Sequence, residues 1–213
     1  MAGKIHLVRH AEGLHNLRND SNIRDAPLSE RGFDFAEDLG RRFVQVNSNN
    51  VGAIISSPLR RTIQTSLTAF TRILDSAHYP TGSGKGVRNG VKLMLDANLQ
   101  ETADMPCNTG SSLTDLGNEF PELDRQIRAL DPNWYIKAGP NSPLPPVTQR
   151  KDRILEQINQ KLTELSISEN GKDVVVVTHQ GIIALLAPNA NIPVAQWQTF
   201  ALIKDGAGRL KLQ

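Results

Sequence analysis

Asp173-Val174-Val175-Val176-Val177-Thr178-His179 is the stretch on which the fold turns. Four consecutive valines with no period-two alternation form the pattern of a strand covered on both faces. Such a strand belongs to a parallel sheet held between helices, and ligands gather outside the carboxyl ends of sheets of that kind. Working outward, Lys4–Val8 and Val51–Ile55 repeat the pattern, and Phe200–Ile203 repeats it weakly. Between these runs lie three segments with helical spacing, marked by Ala36, Leu39 and Phe43, by Leu59, Ile63, Leu67, Phe70 and Leu74, and by Leu155, Ile158, Leu162 and Leu165. Strand and helix alternate. The expectation is an α/β fold of three layers, α/β/α, with a mostly parallel central sheet. With 213 residues and no internal repeat, it is expected to form a single domain over residues 1–213.

Composition narrows the partners. Lys plus Arg at 24 against Asp plus Glu at 22 leaves +2, so no basic field is available to hold a nucleic acid, and any anion site must be local. The longest apolar runs fall far short of the roughly 20 residues a membrane span needs. One cysteine, Cys107, forms no internal disulfide and no CxxC site, and Arg9 and His10 arrive before any signal-type apolar run, so a cytoplasmic protein is expected.

The carboxyl ends of the three clearest strands collect cations and imidazoles: Arg9-His10, then Ser57-Pro58-Leu59-Arg60-Arg61, then Thr178-His179. Ser57-Pro58 reads as an N-cap with proline at the first helical position, which puts Arg60 and Arg61 in the first turn. Cations there oppose the helix dipole, so they form either a solvated pair or a fork on a bound anion. A lone histidine is more often structural, but two at the ends of two strands beside arginines describe a pocket for a phosphoryl dianion with an imidazole nucleophile. His6, inside a strand, reads as structural. No HExxH spacing or carboxylate cluster is present and arginines beside His10 repel a dication, so neither a metal nor another cofactor is expected. Gly82-Ser83-Gly84-Lys85-Gly86 is not a P-loop, because Gly86 replaces the required Ser or Thr and Tyr79 the first glycine. Two Gly/Pro-rich segments, Tyr79–Gly90 and Asp131–Val147, read as loops that set specificity, the second being either a lid over the site or a surface wrap.

Arg9-His10-Ala11-Glu12-Gly13-Leu14-His15-Asn16 resembles the RHG signature of the histidine phosphatase superfamily, the phosphoglycerate mutase-like proteins, in the RHAxGxHN form of its fungal and plant branch. Asp25–Gly32, Ser57–Thr65, Leu99-Gln100-Glu101 and Val177-Thr178-His179 continue the resemblance in order. It implies the phosphoglycerate mutase-like fold, His10 as phosphorylated nucleophile, and Arg9, Arg61 and His179 as the phosphoryl cradle. It also implies Glu101 as general acid, with Asp104 the alternative, and Asn16 as an amide on the phosphoryl group; His15 and Gln180 are further expected substrate contacts. The sequence departs from the family pattern at Ala11 and Gln180, each in place of glycine, and at Asn108 in place of aspartate. The implied activity is metal-independent hydrolysis of a small phosphorylated metabolite through a phosphohistidine. The alternatives are a phosphomutase and a noncatalytic phosphate-binding protein of the same fold.

Overall fold

The computed structural model describes residues 3–47, 50–168 and 171–213. β1 (Ile5–Arg9) leads through α1 (Leu14–Arg18) and α2 (Glu30–Asn47) to β2 (Val51–Ser56), then α3 (Arg60–Ala69) and β3 (Leu93–Leu95). After α4 (Leu113–Glu119) and α5 (Asp124–Arg128) come α6 (Val147–Ser168), β4 (Asp173–Thr178), α7 (Gln180–Leu186), β5 (Trp197–Phe200), β6 (Leu202–Lys204) and β7 (Leu210–Leu212). The five-stranded sheet runs β3-β2-β4-β1-β5, parallel except for β5 at one edge.

The valine run occupies the central strand, every residue of β4 being buried. Its side chains divide between two apolar clusters. Val175 and Val177 join Val8, Ile54, and Leu39, Phe43 and Ile63 from α2 and α3. Val174 and Val176 join Ile5, Leu7, Ile55, and Leu155, Ile158 and Ile183 from α6 and α7. Both faces of the sheet are thus covered, which is the three-layer arrangement that the uninterrupted valines require. Among the described residues, no helix is long and apolar enough to cross a membrane.

Four sequence expectations need correction. Phe200–Ile203 is not one strand: Phe200 closes β5 against Ile5, while Leu202 opens β6, which forms a hairpin with β7. Leu59 and Leu74 lie outside α3, which ends at Ala69; Leu74 instead bridges Val91 in the segment that leads to β3. The cap of α3 is Leu59, not Ser57, because the Ser57 amide still donates to the Val177 carbonyl (3.0 Å) and its hydroxyl is held by His179 (2.9 Å). The Asp131–Val147 loop ends one residue earlier than expected, at the start of α6, and its Trp134 is fully buried in the core beside Tyr135, so it packs as a wrap.

Candidate active site

Parallel register brings the three strand ends level, with Arg9 beside Thr178 and Ser56 beside Val177. The next residues, His10, Ser57 and His179, therefore leave the sheet on one rim. The His10 and His179 rings lie with centroids 5.0 Å apart, tilted by 55° to one another. The Ala11 carbonyl, which can only accept, receives the His10 Nδ1–H at 2.7 Å, and this leaves the Nε2 lone pair facing Arg61 Nε at 3.3 Å. Burial, reinforced by the Arg61 charge, holds the His10 pKa well below the usual histidine value, so the ring is neutral and its Nε2 lone pair accepts from Arg61 Nε.

Arg61 is buried in the first turn of α3 and spends its guanidinium on the pocket walls. Its NH1 donates to the Cys107 carbonyl (2.7 Å), and its NH2 donates to Asn108 Oδ1 (2.9 Å) and to His179 Nδ1 (3.0 Å). Since His179 Nδ1 accepts, its Nε2–H donates to the Ser57 hydroxyl. Burial and the Arg61 charge keep His179 well below its usual pKa. Arg61 itself is brought down by burial to about 10, which leaves it cationic at neutral pH. Arg60 points elsewhere, to an ion pair with Glu119 at 2.6 Å.

The N-terminus of α3 is fixed by Asp25. Its Oδ1 accepts from the Arg60 amide (3.0 Å), and its Oδ2 accepts from the Ser111 amide (2.9 Å) and hydroxyl (2.7 Å). The Asp25–Gly32 motif continues by clamping the loop after β1: Ser29 donates to the Glu12 carboxylate, Arg31 pairs with the same group, and a Cβ on Gly32 would overlap the Glu12 carbonyl. These residues position the pocket without facing it.

Arg9 NH1 donates to Gln180 Oε1 (3.2 Å) and to the Ile192 carbonyl (3.3 Å). Gln180, the first residue of α7, therefore borders the pocket. The glycine that its side chain displaces is met one residue later: a Cβ on Gly181 would overlap the Glu101 carboxylate, and the Gly181 amide donates to Glu101 Oε2 at 3.2 Å. Glu101 Oε1 accepts from the Thr102 amide at 2.6 Å.

The segment bearing Glu101 has almost no regular structure, so side chains hold its carbonyls. Arg150, buried on α6, donates to the Asn98 and Gln100 carbonyls. Thr178 donates to Leu99 (2.8 Å), and Lys137 donates to Glu101 (2.7 Å) and Ala103 (2.8 Å). The Asp131–Val147 loop thus braces the segment from behind through Lys137.

Arg9, His10, His15, Asn16, Arg61, Glu101 and Gln180 all line one open cavity of about 400 Å³, and His179 stands directly behind Arg61. Asn16 Oδ1 is committed to the Gly13 amide at 3.1 Å. His15 is brought by burial, with Arg61 and Arg9 beside it, to a pKa of about 4. Arg9 Nε and His15 Nδ1 are buried without a hydrogen-bond partner, a costly condition. The alternative acid Asp104 is exposed and does not line the cavity. Nor does Tyr79–Gly90, since Tyr79 is buried with its hydroxyl on the Leu67 carbonyl and the segment closes back on Leu74 through Val87; the outer walls come from Asn19–Ser21 and Ala103–Asn108 instead.

Residues 5–74 match the family model of the histidine phosphatase superfamily (branch 1), and this span contains His10, Asp25 and Arg61. Over this span the chain is similar to the histidine phosphatase superfamily. A phosphoglycerate mutase-like protein of Arabidopsis thaliana is 27% identical over 202 residues, covering 84% of this chain and 71% of its own. A probable phosphatase of Schizosaccharomyces pombe is 26% identical over 177 residues, covering 82% and 73%. Among solved structures, a mycobacterial glucosyl-3-phosphoglycerate phosphatase superposes with a TM-score of 0.54 at 21% identity over 100% of this chain and 98% of that one. Mycobacterial hydrolase 1 gives 0.56 at 19% identity, covering 100% and 97%.

Sequence reasoning missed Arg150, Lys137 and the acceptor role of Asn108. Arg150 left a signal, because it falls on the apolar stripe of α6 four residues before Ile154. Lys137 left none. Asn108 stood out only as a departure from the family pattern.

Proposed function

We propose that the protein is a metal-independent phosphatase that hydrolyses a small phosphomonoester through a phosphohistidine on His10. The observation that carries this reading is the His10 ring itself: buried, neutral, oriented by the Ala11 carbonyl, and presenting Nε2 to Arg61. In the first step the Nε2 lone pair forms a bond to phosphorus as the ester P–O bond breaks, and protonated Glu101 gives its proton to the departing oxygen. In the second step Glu101, now a carboxylate, takes a proton from water whose oxygen bonds to phosphorus. The P–N bond breaks, phosphate leaves and neutral His10 is restored.

Arg9 and Arg61 carry fixed positive charge to the transferring group, work a metal ion does in other phosphatases, and are already in place before substrate enters. On binding, the phosphoryl oxygens take over guanidinium hydrogens now spent on pocket walls. His179, neutral beneath Arg61, completes the cradle, and Asn16 and His15 reach the phosphoryl group or the organic half. Gln180 narrows the substrate range by lining the cavity with its Oε1 engaged by Arg9 NH1. Support for hydrolysis as the activity comes from the phosphatase names among its relatives together with the open cavity, since a mutase must keep the phosphorylated enzyme dry while its substrate turns.

The decisive experiment is acid and base treatment of protein labelled during turnover of a 32P-phosphomonoester, with His10→Ala beside wild type. An adduct that is labile to acid and stable to base, absent from His10→Ala along with at least about a thousandfold of the turnover, is the expected result. An acid-stable adduct, or His10→Ala activity within tenfold of wild type, would overturn the mechanism.

A further inference from the structure

Charge is unevenly distributed along the cavity. Its lining guanidiniums, Arg9 and Arg61, both lie at the His10 end. Farther out, the walls are Asn19, Asp20 and Ser21 at the end of α1, facing Ala103, Met105 and Cys107, and the Cys107 amide joins the two walls through the Ser21 carbonyl at 2.9 Å. In that outer half the one charged side chain is Asp20. Its Oδ1 accepts from the Asn22 amide at 2.9 Å, and among the described residues no cation pairs with it. Lys137, the other cation at this rim, does not line the cavity and has its ammonium on the Glu101 and Ala103 carbonyls.

A substrate whose phosphoryl group lies between Arg9 and Arg61 therefore extends its organic half toward an uncompensated carboxylate, with amide and hydroxyl groups of Asn19 and Ser21 around it. A second anion on that half meets like charge and no donor cation, which is discrimination by repulsion. We propose that Asp20 is a specificity-determining residue, and that the substrate class is a monophosphate ester of an uncharged polyol rather than a phosphorylated carboxylic acid or a bisphosphate. The inference rests on the phosphatase reading only in taking the His10 end as the phosphoryl end.

Glycerol 3-phosphate and 3-phosphoglycerate form the matched pair, alike except for a terminal hydroxymethyl or carboxylate. Their binding to His10→Ala, which turns over neither, is measured by titration calorimetry. Their competition against p-nitrophenyl phosphate turnover by wild type gives a second measure should that variant fold poorly. Glycerol 3-phosphate is expected to bind about tenfold more tightly, with the ratio falling to about one in an Asp20→Asn background and inverting in Asp20→Lys. Equal affinities in wild type, a preference for 3-phosphoglycerate, no binding of glycerol 3-phosphate, or a ratio indifferent to residue 20 would overturn the proposal. Loss of the acid-labile adduct would instead strike the phosphohistidine mechanism and leave the affinity ratio standing.

Discussion

A methyl group on Gly181 has nowhere to go but into the space of the Glu101 carboxylate, whose Oε2 takes the Gly181 amide hydrogen. The α7 backbone is fixed by the sheet behind it, so the side chain of Glu101 has to yield. If Glu101 delivers the proton, Gly181→Ala slows hydrolysis of alkyl phosphates, whose leaving oxygen needs that proton, by about a hundredfold. Activated aryl phosphates, which depart as stable phenolates, lose less than about tenfold. Turnover measured over a series of leaving-group pKa values checks this as a steeper dependence in the variant, and an unchanged slope would assign the proton to another group. The glycine in question was hidden in the sequence by its neighbour: Gln180 occupies the place where the family pattern has glycine, whereas it is the next residue whose lack of a side chain leaves room for the Glu101 carboxylate.

At the scale of elements, Arg150 belongs to α6 but serves the irregular segment from Asn98 to Glu101. It is buried, and replacing it with methionine keeps the apolar stem while leaving the Asn98 and Gln100 carbonyls without a donor. Arg150→Met is expected to destabilise the protein by about 2 to 4 kcal/mol in urea unfolding. Aryl phosphate turnover persists in the folded variant, whereas alkyl phosphate turnover falls as Glu101 loses its register. Loss of stability with no such divergence would make Arg150 a purely structural residue. This segment also marks where the sequence stopped being legible. β1, β2 and β4 were visible as uninterrupted apolar runs and α2 and α6 as repeats of the helical apolar period, and the pocket was visible because parallel strands bring their ends to one rim. β3 has three residues, too few to show any period, and Phe200–Ile203 hides a change of sheet at Ala201 that no apolar pattern records. Ser57 looks like a cap because its hydroxyl is in the right place for one; only the fold shows that His179 has claimed it. Specificity was assigned to the two glycine- and proline-rich loops, because loop composition reports backbone freedom and not proximity to the site.

Over the whole molecule, all five histidines, His6, His10, His15, His78 and His179, have pKa values lowered chiefly by burial. Above about pH 6.5, where unfolded histidines are neutral too, they have no effect on how stability changes with pH. Below it the unfolded chain takes up protons that the folded chain refuses, so stability falls as pH drops from about 6.5 toward the lower folded values. The urea midpoint is expected to decline from pH 7 to pH 5, the decline being shallower in His78→Gln, which removes one such group outside the pocket. A midpoint flat over that range would mean that the folded protein protonates its histidines as readily as the unfolded chain. If His10 is the nucleophile, its lowered pKa extends activity to the acid side of the usual histidine value. The two halves of the proposed reaction also sit in different apolar clusters: Arg61 rides on α3 above one face of the sheet, while the Glu101 segment is moored to α6 beneath the other. The distance between cradle and proton donor is therefore the thickness of a layered solid. A methylene shaved from under α6 moves the acid and spares the cradle, a methylene shaved from under α3 does the reverse, and the hydrocarbon interior, which touches no reacting atom, becomes the gauge block that sets how far a proton has to jump.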